Sequence, residues 1–256
     1  MILIFLLWGM IAGYFAGFLG IGAGVLLMPF LALMGIPYQT AVDASLMAVF
    51  ASSVTGTIQH SRVGELNWEP CIIIAIPGAI FALLGSIYLI HWFSPRLLQV
   101  VFAGIMFLNV DLLKISTNLA AMDLMPLLPS EDDNKRYFIH YILIGIVSGL
   151  MASLLGIGGG ILIVTMLTVM AKFTIKNAVK TAVVVMVATT FFSLCADLVQ
   201  NNLPYEIGIP AAIGAVIGSF FGTIALSYVE NSVIRKINYV LSFDLGLLMM
   251  VQVLFV

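Results

Sequence analysis

Apolar runs, most of them about 20 residues long, occupy nearly the whole chain. Each run ends at a short polar break, and the ten runs are residues 2–19, 23–34, 41–58, 70–90, 97–113, 138–155, 159–170, 178–199, 207–229 and 234–255. A helix needs about 20 apolar residues to cross the hydrocarbon core of a bilayer, which is about 30 Å thick. The sequence therefore predicts an all-α polytopic protein of the cell membrane, in which eight runs can span and the second and seventh are too short.

The polar surface that a soluble fold needs is missing from this composition. Hydrophobic residues make up 62% of the chain and charged residues only 9%, whereas a soluble domain is about 25% charged. The 10 Lys and Arg residues against 12 Asp and Glu residues leave no basic surplus for a nucleic-acid backbone. A soluble enzyme, a nucleic-acid-binding protein and a disordered chain are thereby excluded, and the lipid bilayer is the expected partner.

Motifs for metal, cofactor or catalytic chemistry are absent from the sequence. It contains no CxxC, no HExxH and no cluster of His and Cys residues. Its two cysteines, Cys71 and Cys195, lie in separate apolar runs, where we expect them to pack against other helices. No Walker motif is present, which favours secondary transport over ATP-driven pumping. We therefore expect no cofactor, no metal and no enzymatic activity.

The two halves of the chain repeat each other. Residues 20–24 read GIGAG and residues 156–160 read GIGGG, an offset of 136 positions. The paired hydroxyls of residues 52–53 fall on those of residues 189–190 at an offset of 137. Internal repeats of this kind are typical of secondary transporters.

This repetition predicts one integral membrane domain with two homologous parts. The first membrane repeat is residues 1–113 and the second is residues 137–256, with four hydrophobic segments each. The polar residues 114–136 are the predicted linker. The apolar start of the chain has no Lys or Arg before it, so we expect it to remain part of the first membrane element rather than to be cleaved as a signal peptide.

The distribution of Lys and Arg distinguishes two ways of threading these repeats through a membrane. If each glycine break is a kink in one continuous spanning helix, the ten cations divide four against six and give no orientation. If each break is the tip of a re-entrant hairpin, nine cations lie on one side and only Arg96 lies on the other. Since cytoplasmic loops are rich in Lys and Arg, the sequence favours inverted repeats with both termini outside the cytoplasm.

The repeated glycine breaks are the expected substrate site. Non-helical backbone at membrane depth must be buried in protein or line a cavity, and the first N–H groups of the helix that follows have no helical partner. Two such helix starts facing each other would bind an anion without Lys or Arg. The predicted substrate-binding residues are Gly20, Gly22, Ala23, Gly24, Gly156, Gly158, Gly159, Gly160, Ser52, Ser53, Thr189 and Thr190. In the alternative interpretation the glycines serve close helix packing and the hydroxyls bond to their own or a neighbouring helix.

Few ionisable groups lie within the apolar runs. Asp244 is the deepest, and we interpret it as a proton-coupling residue or as a structural hydrogen-bond partner of a neighbouring helix. His60 and Asp197 lie near run ends and are candidate gates, with solvated helix caps as the alternative. Asp43 and Lys180 occupy corresponding positions with opposite charge, which indicates either anion steering or topological charge alone.

Small residues recur at intervals of four in both halves. Gly214, Gly218 and Gly222 share one helix face in the second half, and segment 78–86 repeats the pattern in the first. Small residues at this spacing let helix backbones approach closely. The pattern predicts helix contact within the chain or the seam of a homodimer.

These repeated motifs resemble a known family. Residues 19–29, LGIGAGVLLMP, and residues 155–161, LGIGGGI, are similar to the G-x-GGG-x-x-x-x-P pattern that the TauE/SafE sulfite exporter family carries in each of two halves of four hydrophobic segments. The chain departs from it at Ala23, where the family often has glycine, and at Thr165, where the second half lacks the proline. The resemblance covers nearly the whole chain. It implies export of sulfite or a related small organosulfur anion through the inner membrane, driven by the proton gradient.

A secondary transporter of small sulfur-containing anions is therefore the predicted function. The anion would be held near the membrane midplane by the helix starts at the glycine breaks and by hydroxyls. An anion channel of the same architecture, for small oxyanions or carboxylates, is the alternative. The sequence has no Ser–His or paired-Asp constellation in its runs, which disfavours an intramembrane enzyme, and the duplicated motif disfavours a subunit that only anchors a complex.

Overall fold

The computed structural model describes residues 1–63, 66–90, 92–121, 131–200 and 203–255. In these ranges the chain forms ten α-helices, which are α1 (Ile2–Leu19), α2 (Gly24–Leu33), α3 (Tyr38–Val63), α4 (Trp68–Leu84), α5 (Pro95–Ala121), α6 (Glu131–Leu155), α7 (Gly160–Met170), α8 (Ile175–Val199), α9 (Tyr205–Tyr228) and α10 (Asn231–Phe255). A π-helix, Gly85–Leu89, continues α4. The described residues contain no strand, and the predicted all-α fold is confirmed.

Helix length divides the elements into two classes. Eight helices of the described chain are long and apolar enough to cross a membrane, whereas α2 and α7 have 10 and 11 residues. At about 1.5 Å per residue, helices of this length reach about 15 Å, half of the hydrocarbon thickness. The prediction of a multi-pass membrane protein with eight long helices and two short ones is confirmed.

Several long helices extend beyond the apolar runs that predicted them. α3 begins at Tyr38, before its run, and continues to Val63, while α6 begins at Glu131 inside the predicted linker. A helix satisfies its own backbone hydrogen bonds, so it can continue past the hydrocarbon into the polar interface without a change of conformation. Of the predicted linker 114–136, residues 122–130 lie outside the described part of the chain.

α1 and α9 lie in direct backbone contact along their lengths. A Cβ added at Gly9 would overlap the carbonyl oxygen of Ala211, and one added at Gly17 would lie 2.5 Å from that of Ser219. Because the residue numbers of the contacts rise along both helices in the same direction, α1 and α9 run parallel. The small-residue stripe at 214–222 therefore packs on a helix of the same chain.

α4 and α6 form a second seam of the same kind. A Cβ added at Gly145 would overlap the carbonyl oxygen of Ile74, and one added at Gly149 would overlap that of Gly78. These two helices also run parallel. Each seam joins a helix from before the linker to one from after it, so the two halves of the chain interlock instead of lying side by side.

α3 and α8 cross the same boundary but run antiparallel. The rings of Phe50 and Phe191 lie 6.0 Å apart, and a Cβ added at Gly56 would lie 2.8 Å from the Val183 side chain. Residue numbers rise along one helix as they fall along the other. The pair packs against α9 on one side and α4 on the other.

α5 and α10 are likewise antiparallel and carry a buried polar network. Gly246 faces Met106, and three residues further along α5 Asn109 Nδ2 donates a hydrogen bond to Ser242 Oγ at 2.7 Å. Thr165 of the short helix α7 donates to Asn109 Oδ1. All three polar side chains are buried. This network ties α7 to two long helices.

α2 is held to long helices in a related way. Gln252 Nε2 of α10 donates to the carbonyl oxygen of Pro29 at 3.1 Å. The Trp8 ring of α1 stacks on Phe30 at a centroid distance of 4.2 Å. Both short helices therefore begin inside the protein, at the buried Gly24 and Gly160, and have side-chain contacts to helices that are long enough to span.

Gly218→Val tests the seam between α1 and α9. The Cβ would overlap the Met10 carbonyl oxygen, so we expect a loss of folding free energy above the roughly 1–3 kcal/mol of an ordinary overpacked site. Gly104→Val is the matched control, because a Cβ at Gly104 meets nothing within 4 Å. Thermal unfolding and size-exclusion chromatography in detergent measure the difference. Equal stability of the two variants would contradict the seam.

Candidate functional site

The two glycine breaks meet inside the protein. A Cβ added at Gly24 would overlap the carbonyl oxygen of Gly156, and one added at Gly160 would overlap that of Gly20. Every residue of 20–24 and 156–160 is buried. The structure thus brings together the eight predicted backbone residues of the site, which lie about 136 positions apart in the chain.

The breaks differ at one corresponding pair of positions. Gly159 precedes α7 with a φ of 76°, in the left-handed region that disfavours side chains. Ala23 precedes α2 with a φ of −60°, which suits any residue. The first break therefore tolerates alanine where the family pattern often has glycine, and the second break requires glycine at the corresponding place.

The starts of α2 and α7 carry backbone N–H groups without acceptors. Within the described residues, no hydrogen bond is formed by the N–H groups of residues 22–24 or of residues 158–160. The first N–H groups of a helix have no helical partner, and the helix dipole makes this end positive. Two such ends at the meeting point of the breaks are chemically suited to an anion.

Two hydroxyls bond directly to the second glycine break. Thr189 Oγ1, a predicted site residue, lies 3.3 Å from the carbonyl oxygen of Gly158 and also 3.3 Å from that of Met186 in its own helix. Ser45 Oγ lies 2.8 Å from the carbonyl oxygen of Gly156 and 2.8 Å from that of Val42 in its own helix. Ser45 is not among the predicted site residues, because a serine near the start of an apolar helix is common in any membrane protein.

The other three predicted hydroxyls bond within their own helices. Ser52 Oγ donates to the Val49 carbonyl at 3.0 Å and Ser53 Oγ donates to that of Phe50 at 2.9 Å. Thr190 Oγ1 donates in the same way, to the Met186 carbonyl at 2.6 Å. This back-bonding is the arrangement that the alternative interpretation expects.

Met186 lies between the two breaks, although the sequence did not single it out. Its sulfur would lie 3.2 Å from a Cβ added at Gly22 and 3.3 Å from one added at Gly158. A flexible thioether fills irregular gaps between backbones and remains polarisable. In the sequence it is one apolar residue among many in the run of α8, so no pattern distinguishes it.

Asp43 and Asp197 lie together at one end of the antiparallel pair α3–α8. Asp43 is 1% exposed and Asp197 is 3% exposed, and the antiparallel register that pairs Phe50 with Phe191 and Gly56 with Val183 places the two acids at the same end. Asp197 is therefore no solvated helix cap. The two residues were predicted separately, one as a steering residue and one as a gate, and the structure makes them neighbours.

His60 and Lys180 lie at the other end of the same helix pair. His60 is 3% exposed, its Nε2 has no hydrogen-bond partner, and the nearby charge that acts on it belongs to Lys180. Lys180 is half-buried. Lys176 lies one turn earlier on α8, and its Nζ donates to the carbonyl oxygen of Ser227 at 3.5 Å. The C-terminal end of α9 therefore lies beside His60 and Lys180 at this end of the helix pair.

Asp244 lies apart from these groups. It is exposed on α10, where it lines a shallow apolar groove with Phe15, Leu26 and Ile237. Lys236, two turns earlier, lines the same groove. The structure does not bring Asp244 into the buried cluster around the glycine breaks.

The described ranges contain no cluster of side chains suited to bind a metal ion. No three His, Cys, Asp or Glu side chains there are close enough together to hold a metal ion. Cys71 and Cys195 are both free thiols. The site offers backbone N–H donors at two helix starts, which suit reversible binding of an anion.

Comparison with known proteins finds one family and several relatives. The family model described as sulfite exporter TauE/SafE matches residues 5–249. A probable membrane transporter protein of Methanocaldococcus jannaschii is 28% identical over 216 residues, which are 80% of this chain and 77% of the relative. One of Bacillus subtilis is 23% identical over 93% of this chain and 96% of its own length. One of Haemophilus influenzae is 26% identical over 92% of each chain.

Gly159→Ala and Ala23→Gly exchange the residues of the two breaks. Gly159→Ala puts a side chain on a left-handed backbone, at a cost of about 1–2 kcal/mol, and its Cβ would lie 2.5 Å from the Ser148 carbonyl oxygen. Ala23→Gly only adds backbone freedom, at a cost of about 0.5–1 kcal/mol. We expect Gly159→Ala to lower the midpoint of thermal unfolding more than Ala23→Gly does. The reverse order would contradict the two assigned backbone conformations.

Proposed function

The chain belongs to the sulfite exporter TauE/SafE family of membrane transporters, and on that premise we propose that it is a secondary transporter of small sulfur-containing anions. Its substrate is sulfite or an organosulfonate, moved outward across the membrane and coupled to protons. The observation that carries the proposal is the meeting of two helix starts, with unpaired N–H groups, at the buried contact of the glycine breaks.

The chemistry of the breaks suits an anion with several oxygens. Such an anion accepts hydrogen bonds from backbone N–H groups of residues 22–24 and 158–160 at once, with no Lys or Arg beside it. Each helix end contributes about half a positive charge. Neutral donors of this kind hold an anion less tightly than a cation would, and a transporter must release what it binds. Thr189 and Ser45 keep the second break in place through its carbonyl oxygens.

The two halves are proposed to be inverted repeats that rock around this contact. α3 and α8 hold corresponding places in the halves and run antiparallel, as do α5 and α10. Two halves of equal orientation would make both pairs parallel. Inversion also puts nine of the ten cationic residues on one side, as the positive-inside rule expects. Alternating access by movement of one half against the other is common among inverted-repeat transporters.

The basic end of α3–α8 is proposed to admit the anion. In the inverted arrangement His60 and Lys180 lie toward the cytoplasm, together with Arg62 and Lys176. A positive patch at a pathway entrance raises the local concentration of anions. Lys180 therefore acts as a steering residue, and the glycine breaks lie further along the same helix pair.

Flux in proteoliposomes tests the proposed function. Sulfite, thiosulfate, sulfoacetate and sulfate are offered with and without a pH gradient. The wild type should move at least one of the sulfur anions, and Gly24→Ala should reduce that flux at least about tenfold, equivalent to about 1.4 kcal/mol. Gly104→Ala is the control, since its Cβ meets nothing within 4 Å. Absence of flux for all four anions would reject the proposal, and conductance without gradient dependence would favour the channel.

Cysteine accessibility in whole cells tests the inversion. Met34 follows α2 and Lys172 follows α7, and both are exposed. With Cys71 and Cys195 replaced by serine, Met34→Cys should react with an impermeant thiol reagent from outside and Lys172→Cys only after permeabilisation. Reaction of both from the same side would mean that the halves are not inverted.

A further inference from the structure

The acid pair of Asp43 and Asp197 has oxygen atoms that no residue satisfies. Both Oδ atoms of Asp43 and Oδ2 of Asp197 are buried without a hydrogen-bond partner. Neither residue forms an ion pair within the described part of the chain. A buried carboxylate without donor or cation is costly, and a bound proton removes that cost.

Two buried hydroxyls accompany the pair. Ser86 is 1% exposed and lies close enough to Asp197 to interact with it, although its hydroxyl does not reach hydrogen-bonding geometry. Ser193, fully buried, precedes Asp197 by one turn of α8 and has an equally unpartnered hydroxyl. Ser86 is the second residue of the π-helix Gly85–Leu89. Short π-helices within α-helices occur frequently at functional sites.

We propose that Asp43 and Asp197 form the proton-binding site that couples transport to the proton gradient. This inference rests on the proposed function and supplies its coupling residues. A carboxylate oxygen of the pair takes a proton from water at the outer end, and the same oxygen returns it to water on the cytoplasmic side after the change of access. No electron moves, and the anion is not altered.

Coupling follows from the opposite character of the two ends of α3–α8. The repeat aligns Asp43 with Lys180 and His60 with Asp197, so each aligned position is acidic in one half and basic in the other. In space the two acids lie at one end of α3–α8 and the two basic residues lie at the other. An anion that leaves the glycine breaks toward the acid end meets two carboxylates, which repel it when ionised. Protonation of the pair lifts that barrier, so anion exit and proton uptake occur together.

Few other titratable groups lie near the pair. Tyr38, at the start of α3, is buried and donates to the Leu154 carbonyl oxygen at 3.0 Å. Two further titratable groups lie on the elements that pack at the acid end, and both are exposed: Glu206 of α9 and Tyr88 of the π-helix, which is 61% exposed. Cys195 lies on α8 itself and is partly buried. Residues 2–19, 24–33 and 160–170, which form α1, α2 and α7, contain no Asp, Glu, Lys, Arg or His. On α6 and α10, His140 and Arg235 lie toward the basic end.

Accumulation of a sulfonate in proteoliposomes tests the acid pair. A sulfonate stays ionised across the working pH range, so it does not accumulate by passive diffusion of an acid form. With the membrane potential clamped at zero, one proton per anion and a gradient of one pH unit sustain about a tenfold accumulation on the acidic side, since about 1.4 kcal/mol is a factor of ten. The wild type should reach that ratio. Asp43→Asn and Asp197→Asn should stay near a ratio of one.

Controls separate coupling from folding and from basal transport. Both variants should still exchange labelled for unlabelled sulfonate at equal pH, and should elute as monodisperse protein. If one of them does not fold, the other carries the test. Asp111→Asn is the matched control, because Asp111 is 71% exposed beside Lys114 at the far part of α5. It should accumulate sulfonate as the wild type does.

The outcomes distinguish this inference from the proposed function. If the wild type moves no sulfur anion, the proposed function is wrong. If it moves sulfonate but both Asn variants keep the tenfold ratio, the acid pair is not the coupling site. If Asp244→Asn alone abolishes accumulation, the exposed acid of α10 holds the proton instead. Accumulation driven by a Na⁺ gradient in place of the pH gradient would also overturn the proton assignment.

Discussion

The direct backbone contact between the two glycine breaks sets how closely the two halves of the chain approach each other. At this contact a single methyl group on Gly24 or Gly160 would overlap a carbonyl oxygen of the opposite break. The starts of α2 and α7 therefore lie close together, with the sulfur of Met186 beside both breaks. The proposed binding of an anion and the cohesion of the two halves therefore depend on the same few glycines.

Close glycine packing and buried hydrogen bonds of the surrounding helices stabilise this contact. α1 packs on α9 and α4 on α6 with backbones touching, and both pairs join the two halves. In a lipid environment the hydrophobic effect does not drive helices together, so close packing of small residues and buried hydrogen bonds must do so. Asn109 with Thr165, and Gln252 with the Pro29 carbonyl, supply such bonds to the two short helices.

Because charged residues are scarce, the few buried ionisable residues can each be assigned to one end of a helix pair. With charged residues at 9% of the chain, the antiparallel pair α3–α8 carries acids at one end and bases at the other. Local sequence could not reveal this grouping, because Asp43 and Asp197 are 154 positions apart. The depth of Asp244 in its apolar run predicts a proton-coupling or structural role, but depth along a helix does not say which face a residue occupies. That face turned out to be exposed.

The membrane class, the number and approximate limits of the helices, and the family could all be predicted from the sequence. These follow from local properties, namely the length of apolar runs and the spacing of GxGxG. The repeat of one motif also singled out the glycines of the two breaks, which the structure brings into contact. Tertiary packing was needed to show that the breaks touch and that Met186 lies between them. It was also needed to show that Thr189 and Ser45 reach the second break as well as a carbonyl of their own helix, while Ser52, Ser53 and Thr190 bond to their own helices. The physical reason is that these contacts depend on the direction and rotation of helices far apart in the chain, and an apolar run has nearly the same composition on every face.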